Sequence, residues 1–396
     1  MDAPALPPPS FHSHRPAPSQ GTPRKLFHWK PDGTLELRID WSSLESFLSC
    51  NRLAQYKLVH SKSPQPKSAL VFGAAMHAAL EIWYRNKENI GKIVISETLQ
   101  PTNPVVGVAC EILTRETLLQ RCYLAIETTF AEYPIGFIND YRTPEYCINS
   151  FCAYLQHYSG EVLTPFTHQS KPLVEFSFSY PLGQIEIPTS VFQKWGYGKL
   201  SNDAAAEEFF AEDEGRVQLG AAGLIKCSIE WTGIIDMLAS LSGELWVMDH
   251  KTTSILSSDF FDSFELAMQP VGYVAAVRAA FPDLDIKGFL VNVLSCRKPV
   301  SAVTASGKKS TAKPFEAHRR FYRYEEWKEA EFRKDALTLI EELIANLDGG
   351  YFPKKTSWCS GKYGKCAFFE VCNAPEEQRD MILSCGTFTD NTWKPV

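Results

Sequence analysis

The sequence predicts an α/β fold with a central mixed sheet flanked by helices. Residues 227–254 (CSIEWTGIIDMLASLSGELWVMDHKTTS) hold two β-rich runs around a turn signal at Ser242-Gly243. Apolar residues recur at helical spacing upstream, in 42–59 and 71–86, and downstream, in 264–281 and 325–347. Further β-rich runs at Leu173–Tyr180, Ile286–Ser295 and Phe315–Tyr324 supply more strands.

In chain order, residues 1–25 are rich in Pro, Ser and His with no apolar face, which predicts a disordered tail. Ser42-Ser43-Leu44-Glu45 reads as a capping box opening a helix that carries Cys50. The next helix contains Gly73 and His77. Residues 106–156 read as largely helical, broken at Pro134 and Gly136. Residues 188–223, with the acidic runs Glu207-Glu208 and Glu212-Asp213-Glu214, read as an insertion. Pro270 kinks the 264–281 helix or marks its start. The 325–347 helix ends before Gly349-Gly350. The chain is thus read as one domain over 26–375 with a C-terminal tail at 376–396.

The 396 residues are 44% apolar and 22% charged, ordinary for a soluble globular protein. No apolar run reaches membrane-spanning length and no secretion signal opens the sequence, which predicts a cytoplasmic protein, or one in host-cell cytoplasm if phage-encoded. The net charge of −6 argues against indiscriminate polyanion binding but leaves room for a local basic groove. Eleven cysteines without a secretion signal suggest thiols in a reducing compartment.

If Ser242-Gly243 is the hairpin loop, Leu241 faces Glu244 and pairing onward sets Asp236 opposite Asp249. Side chains alternate with period two, so Lys251 shares the face of Asp249. Like charges directly opposite repel, so a fold that keeps them usually holds a cation between them. Aspartate oxygens suit Mg²⁺ or Mn²⁺. Such an ion lowers the pKa of a bound water, and a neighbouring ammonium can orient that water and offset charge on a phosphorane. His250 alternates to the other face. An exposed hairpin with scattered charges is the plain competing reading, weakened by the apolar flanks GIID and WVMD.

With these motifs the chain resembles the PD-(D/E)XK nuclease superfamily, in particular its RecB-like exonuclease branch. Gly233 to Asp236 matches G-x-x-D, and Asp249-His250-Lys251 matches (D/E)-x-K. Gly73, His77, Leu80 and Glu81 match an upstream G-x-x-x-H-x-x-L-E, and Gln269 and Tyr273 a downstream Q-x-x-x-Y. The resemblance implies a restriction-endonuclease-like core. It implies Asp236 and Asp249 as metal carboxylates, His77 as a further ligand favouring Mn²⁺, and Lys251 as the residue positioning water. Gln269 and Tyr273 would contact DNA or support the site. Glu175 stands where the family often has an acid on its first strand.

Cys359, Cys366 and Cys372 form C-x6-C-x5-C, with Cys50 far upstream. Many RecB-like nucleases hold a [4Fe–4S] cluster with one N-terminal and three C-terminal cysteines, and this arrangement looks similar. Four thiolates suit an iron–sulfur cluster or Zn²⁺. Basic residues at Arg297-Lys298, Lys308-Lys309, Lys313, Arg319-Arg320, Arg323, Lys354-Lys355, Lys362 and Lys365 interleave with aromatics such as Phe321, Tyr322 and Trp358. That mixture suits sequence-independent contact with single-stranded DNA. The resulting expectation is a metal-dependent DNA exonuclease with a recombination or repair role or partner. A non-catalytic DNA-binding or assembly module and a structure-specific endonuclease are the alternatives.

Overall fold

The Ser242-Gly243 turn closes the expected hairpin in the computed structural model. Ser242 has φ +52° and Gly243 φ +86°, the pair of positive φ angles that lets a two-residue loop follow the twist of its strands. The structure describes residues 10–12, 26–30, 32–98, 107–133, 140–195, 223–298, 315–361 and 364–390.

The labelled strands among the described residues are β1 (Ser10–His12), β2 (Phe27–Trp29), β3 (Leu35–Ile39), β4 (Lys62–Pro64), β5 (Val174–Pro188), β6 (Leu224–Leu241), β7 (Glu244–Thr253), β8 (Ile286–Cys296), β9 (Phe315–Tyr322) and β10 (Phe388–Asp390). The main helices are α1 (Trp41–Ser49), α2 (Ser68–Asn86), α3 (Arg115–Ala131), α4 (Pro144–His157), α5 (Met268–Ala280), α6 (Glu326–Gly349) and α7 (Glu376–Ser384). The central sheet runs β1-β5-β6-β7-β8-β9, with β3 joining β6 and β2 joining β3. It is mixed, because β7 pairs parallel with β8 and β3 parallel with β6, while the other strands on this path pair antiparallel. A parallel pair needs a crossover, and α5 lies in the one between β7 and β8.

Period-two alternation divides the core. Leu238 and Val247 face one layer, with Val274 of α5 and Ile340 of α6. Met237 and Met248 face the other, with Met76 of α2, Ile126 of α3 and Phe151 of α4. Burying aliphatic or aromatic side chains of this size stabilises by about 1.5–3 kcal/mol each, so the pattern fixes which face each catalytic candidate occupies.

Several local readings differ. The N-cap of α1 is Asp40, whose side chain accepts the Ser43 N–H at 2.9 Å. Asp40 is an N-cap acceptor of the same strength class as serine, and it sits before the serines, so the helix starts earlier. Cys50 is not helical: it is extended (φ −166°, ψ 123°) between α1 and a second helical stretch that ends in a π-turn at Gln55–Val59. Pro270 lies in the first turn of α5, where its missing N–H would be unpaired anyway. Ile93–Thr98 and Gly107–Ile112 pair antiparallel, so the largely helical stretch expected from 106 onward begins with a strand.

Ser10–His12, within the expected tail, pair with Ser177–Ser179; the other residues of 1–25 lie outside the described residues. Of the expected insertion, Thr189–Trp195 is helical, and 196–222 lie outside the described residues. The segment read as a tail from 376 holds α7 and β10, and β10 pairs with β4, with Lys62 Nζ 2.7 Å from Asp390 Oδ1. No helix among the described residues is long and apolar enough to cross a membrane.

Candidate active site

The β6–β7 ladder runs from Leu241↔Glu244 to Met237↔Met248. The next step is Asp236 beside Asp249, and there the backbone pairing ends. The Asp236 side chain accepts the His250 N–H through Oδ2 at 2.5 Å, so a carboxylate takes the place of a ladder carbonyl. On the other side of β6, Val174↔Met237 and Phe176↔Ile235 leave Glu175 opposite Asp236. Three acids, Glu175, Asp236 and Asp249, thus stand in one row across β5, β6 and β7, all buried. Three acids in a row repel unless cations compensate.

Glu175 has φ +46°, a left-handed conformation costly for a residue with a Cβ and typical of functional sites. Arg85 holds the preceding peptide, donating from Nη2 to the Val174 carbonyl at 2.6 Å, and Glu81 holds Arg85 at 3.0 Å. This gives Glu81 of the upstream motif a physical role. Arg85 itself had no signal in the sequence.

Gly73 brings α2 onto the end of β7. An added Cβ there would lie 3.1 Å from Thr252 Oγ1. One turn later on the same face, His77 reaches the acids, with Nδ1 3.4 Å from Asp236 Oδ1 and 3.9 Å from Glu175 Oε1. Donor atoms of His77, Glu175 and Asp236 all lie within 4.8 Å of one another. Glu175 therefore joins the candidate donor set directly. Asp249 instead meets Lys251, whose Nζ is 3.0 Å from Oδ1 and 2.8 Å from Oδ2.

Lys251 Nζ also lies 3.4 Å from Gln269 Oε1, and Gln269 Nε2 donates to Tyr273 Oη at 3.1 Å. Lysine only donates, which fixes the amide orientation. Gly233 makes room for this support: an added Cβ would sit 2.9 Å from Phe178 Cε1 and 3.2 Å from Tyr273 Cε1. Gln269 and Tyr273 thus reach the acids through the lysine.

The titration pattern describes a cation-seeking site. Burial pushes the Glu175 carboxyl up to about 7, with Asp236 repulsion adding to it. Burial also raises Asp249, against the pull of Lys251. Burial works against charge on His77, yet Asp236 and Glu175 hold its ring well above the usual imidazole range. Asp236 lies well below the usual carboxylate range, because His77 and Lys251 outweigh its burial. His250 is different: burial pushes it down to about 3, which leaves the ring neutral. A groove of about 920 Å³ opens on this centre, with Lys57, Lys67, His77 and Lys251 along its walls.

The four cysteines Cys50, Cys359, Cys366 and Cys372 line a second cavity of about 270 Å³. A two-strand turn, Ser360–Gly361 with Gly364–Lys365, sets Cys359 and Cys366 at its ends, with Cys366 N–H bonded to the Cys359 carbonyl at 3.0 Å. Lys355 N–H points to Cys50 Sγ at 3.3 Å. Lys57 and Pro64 border both cavities.

Among the described residues, the expected basic stripe is not assembled along this groove. Arg297, Arg320 and Arg323 pair with Glu316, Asp262 and Glu244. Arg319 is half-buried and paired with Glu161 at 2.7 Å, on the sheet face that carries Asn292. Lys354 and Lys355 border the cysteine cavity, while Lys308, Lys309, Lys313 and Lys362 lie outside the described residues.

A central mixed sheet flanked by helices, with acids on adjacent strands and a lysine two residues after the second, defines a restriction-endonuclease-like metal-dependent nuclease. The family model of the PD-(D/E)XK nuclease superfamily matches residues 39–373, and the chain belongs to that superfamily. A search of curated proteins finds no match.

Proposed function

We propose that the chain is a DNA exonuclease of the RecB-like type, acting with Mn²⁺ or Mg²⁺. The observation that carries this reading is the buried row Glu175–Asp236–Asp249 with His77 at one end and Lys251 at the other, opening on a groove. Nitrogen and oxygen donors together suit Mn²⁺. His77, Asp236 and Asp249, joined by Glu175, would hold the ion, which when bound supplies Lewis acidity and a more acidic water. Uptake of the ion would displace the proton that the acids now hold on His77. Lys251, steadied by Asp249 and Gln269, presents its ammonium to the groove, where it can orient the attacking water and offset phosphorane charge. The resemblance implies 5′-phosphate products. The branch assignment is supported by Gly73, His77, Gln269 and Tyr273, all of which converge on this one centre.

The four cysteines lining one cavity support a shared thiolate-bound group, and the resemblance to RecB-like nucleases favours an iron–sulfur cluster over Zn²⁺. Its role would be structural, tying Cys50 near the start of the domain to the C-terminal segment.

The deciding experiment offers linear and circular single-stranded DNA with Mn²⁺. An exonuclease degrades only the linear form. Cleaved circles would replace this reading with an endonuclease, and binding without degradation would replace it with a non-catalytic module.

A further inference from the structure

The sheet row after the three acids is also polar and has no part in the chemistry above. His250, Asn292 and Arg319 are register partners across β7, β8 and β9, so their side chains share a face. They are bonded in line. Arg319 Nε donates to Asn292 Oδ1 at 3.1 Å, and Asn292 Nδ2 lies 2.7 Å from His250 Nδ1. Glu161 holds the far end at 2.7 Å, and the guanidinium carbon sits 3.7 Å from the Tyr158 ring centroid.

This row fixes a proton. A guanidinium has donors only, so the Asn292 carbonyl must face Arg319. The Asn292 NH₂ group then faces His250, whose Nδ1 must accept. The imidazole therefore carries its hydrogen on Nε2. Tyr84 stacks on the ring (5.7 Å, 18°), and the His77 ring meets it edge-on (5.8 Å, 89°). The ring is clamped on three sides, and the N–H of the same residue holds Asp236 Oδ2 at the point where the β6–β7 ladder ends.

We propose that His250 is the positioning residue of the metal centre: the Arg319–Asn292–His250 row sets the His250 amide under Asp236 and so keeps Asp236 Oδ1 turned toward His77. This rests on reading His77, Glu175 and Asp236 as the cation site. An apolar row would fill the same space, and replacing buried charge by packed apolar groups is often no less stable. An apolar row would not, however, fix the height of one strand against its neighbour through a directional bond. The row thus acts on metal affinity through the orientation of one carboxylate.

The test uses the full chain, metal-free, titrated with Mn²⁺ alone, with free ion read from its paramagnetic resonance signal. His250→Phe keeps the stacking and loses the acceptor, and it should weaken Mn²⁺ binding about tenfold or more. His250→Asn returns an acceptor at the place of Nδ1 and should restore affinity to within about threefold of wild type. A folded His250→Phe chain with wild-type affinity, or an Asn variant as weak as the Phe variant, overturns the proposal. Wild-type protein that takes up no Mn²⁺ overturns the metal reading as well. The wild-type tautomer is a second readout that needs no folded Phe variant: nitrogen-15 resonances of His250 should show Nε2–H, and Nδ1–H would overturn the proposal.

Discussion

Gly233→Ala tests whether the support behind Lys251 matters. The new Cβ would lie 2.9 Å from Phe178 Cε1 and 3.2 Å from Tyr273 Cε1. Carbon atoms in contact rest at about 3.5–4.0 Å, so the rings must retreat by roughly half an ångström. Neither has free space, since Phe178 is 1% exposed and Tyr273 7%. Overpacking of this kind costs about 1–3 kcal/mol. The displaced Tyr273 carries Gln269 with it, and Gln269 faces Lys251 at 3.4 Å. A misplacement approaching 1 Å at a reacting group can cost about 10²-fold in rate. The assay is Mn²⁺-dependent release of nucleotides from linear DNA, run beside a melting curve. Gly243→Ala is the control: nothing lies within 4 Å of its added Cβ, and only its φ of +86° is strained. That variant should lose stability by about 1 kcal/mol and keep its turnover. Wild-type turnover in Gly233→Ala, or an equal loss in Gly243→Ala, would refute the reasoning.

Three more outcomes follow from the same geometry. Lys251→Met should lower turnover by about 10²–10³-fold while DNA binding, measured by gel shift in Ca²⁺, persists. In chelator, stability should fall as pH rises from 4.5 toward about 7, because folded Glu175 keeps a proton that the unfolded chain releases. The full shift corresponds to on the order of 3 kcal/mol, and melting curves of Glu175→Gln should show the slope flattened. Cys50→Ser should lower the iron content of protein purified without oxygen and speed proteolysis within 376–390.

The hairpin register was legible because two local signals agreed: period-two alternation and a two-residue turn at Ser242-Gly243. The helix bearing Gln269 and Tyr273 was legible because a proline in the first turn is compatible with helix. What was hidden depended on distant partners. Arg319 read as a surface cation, but Glu161, 158 residues away, holds it half-buried. The extended backbone at Cys50 is likewise tied to remote chain: the Arg52 N–H reaches Pro353. Glu175 gave only a place on a strand. Its left-handed backbone and its nearness to His77 come from three elements meeting, which no local pattern encodes. His250 was assigned to the correct face, and the row it joins spans three strands separated by long connections.

Anomalous diffraction from crystals soaked in Mn²⁺ tests the metal centre most directly. A single strong peak bonded to His77 and Asp236, with Glu175 or Asp249 completing the protein donors, is the predicted result. A peak elsewhere, or none at millimolar Mn²⁺ with the groove open to solvent, would contradict it.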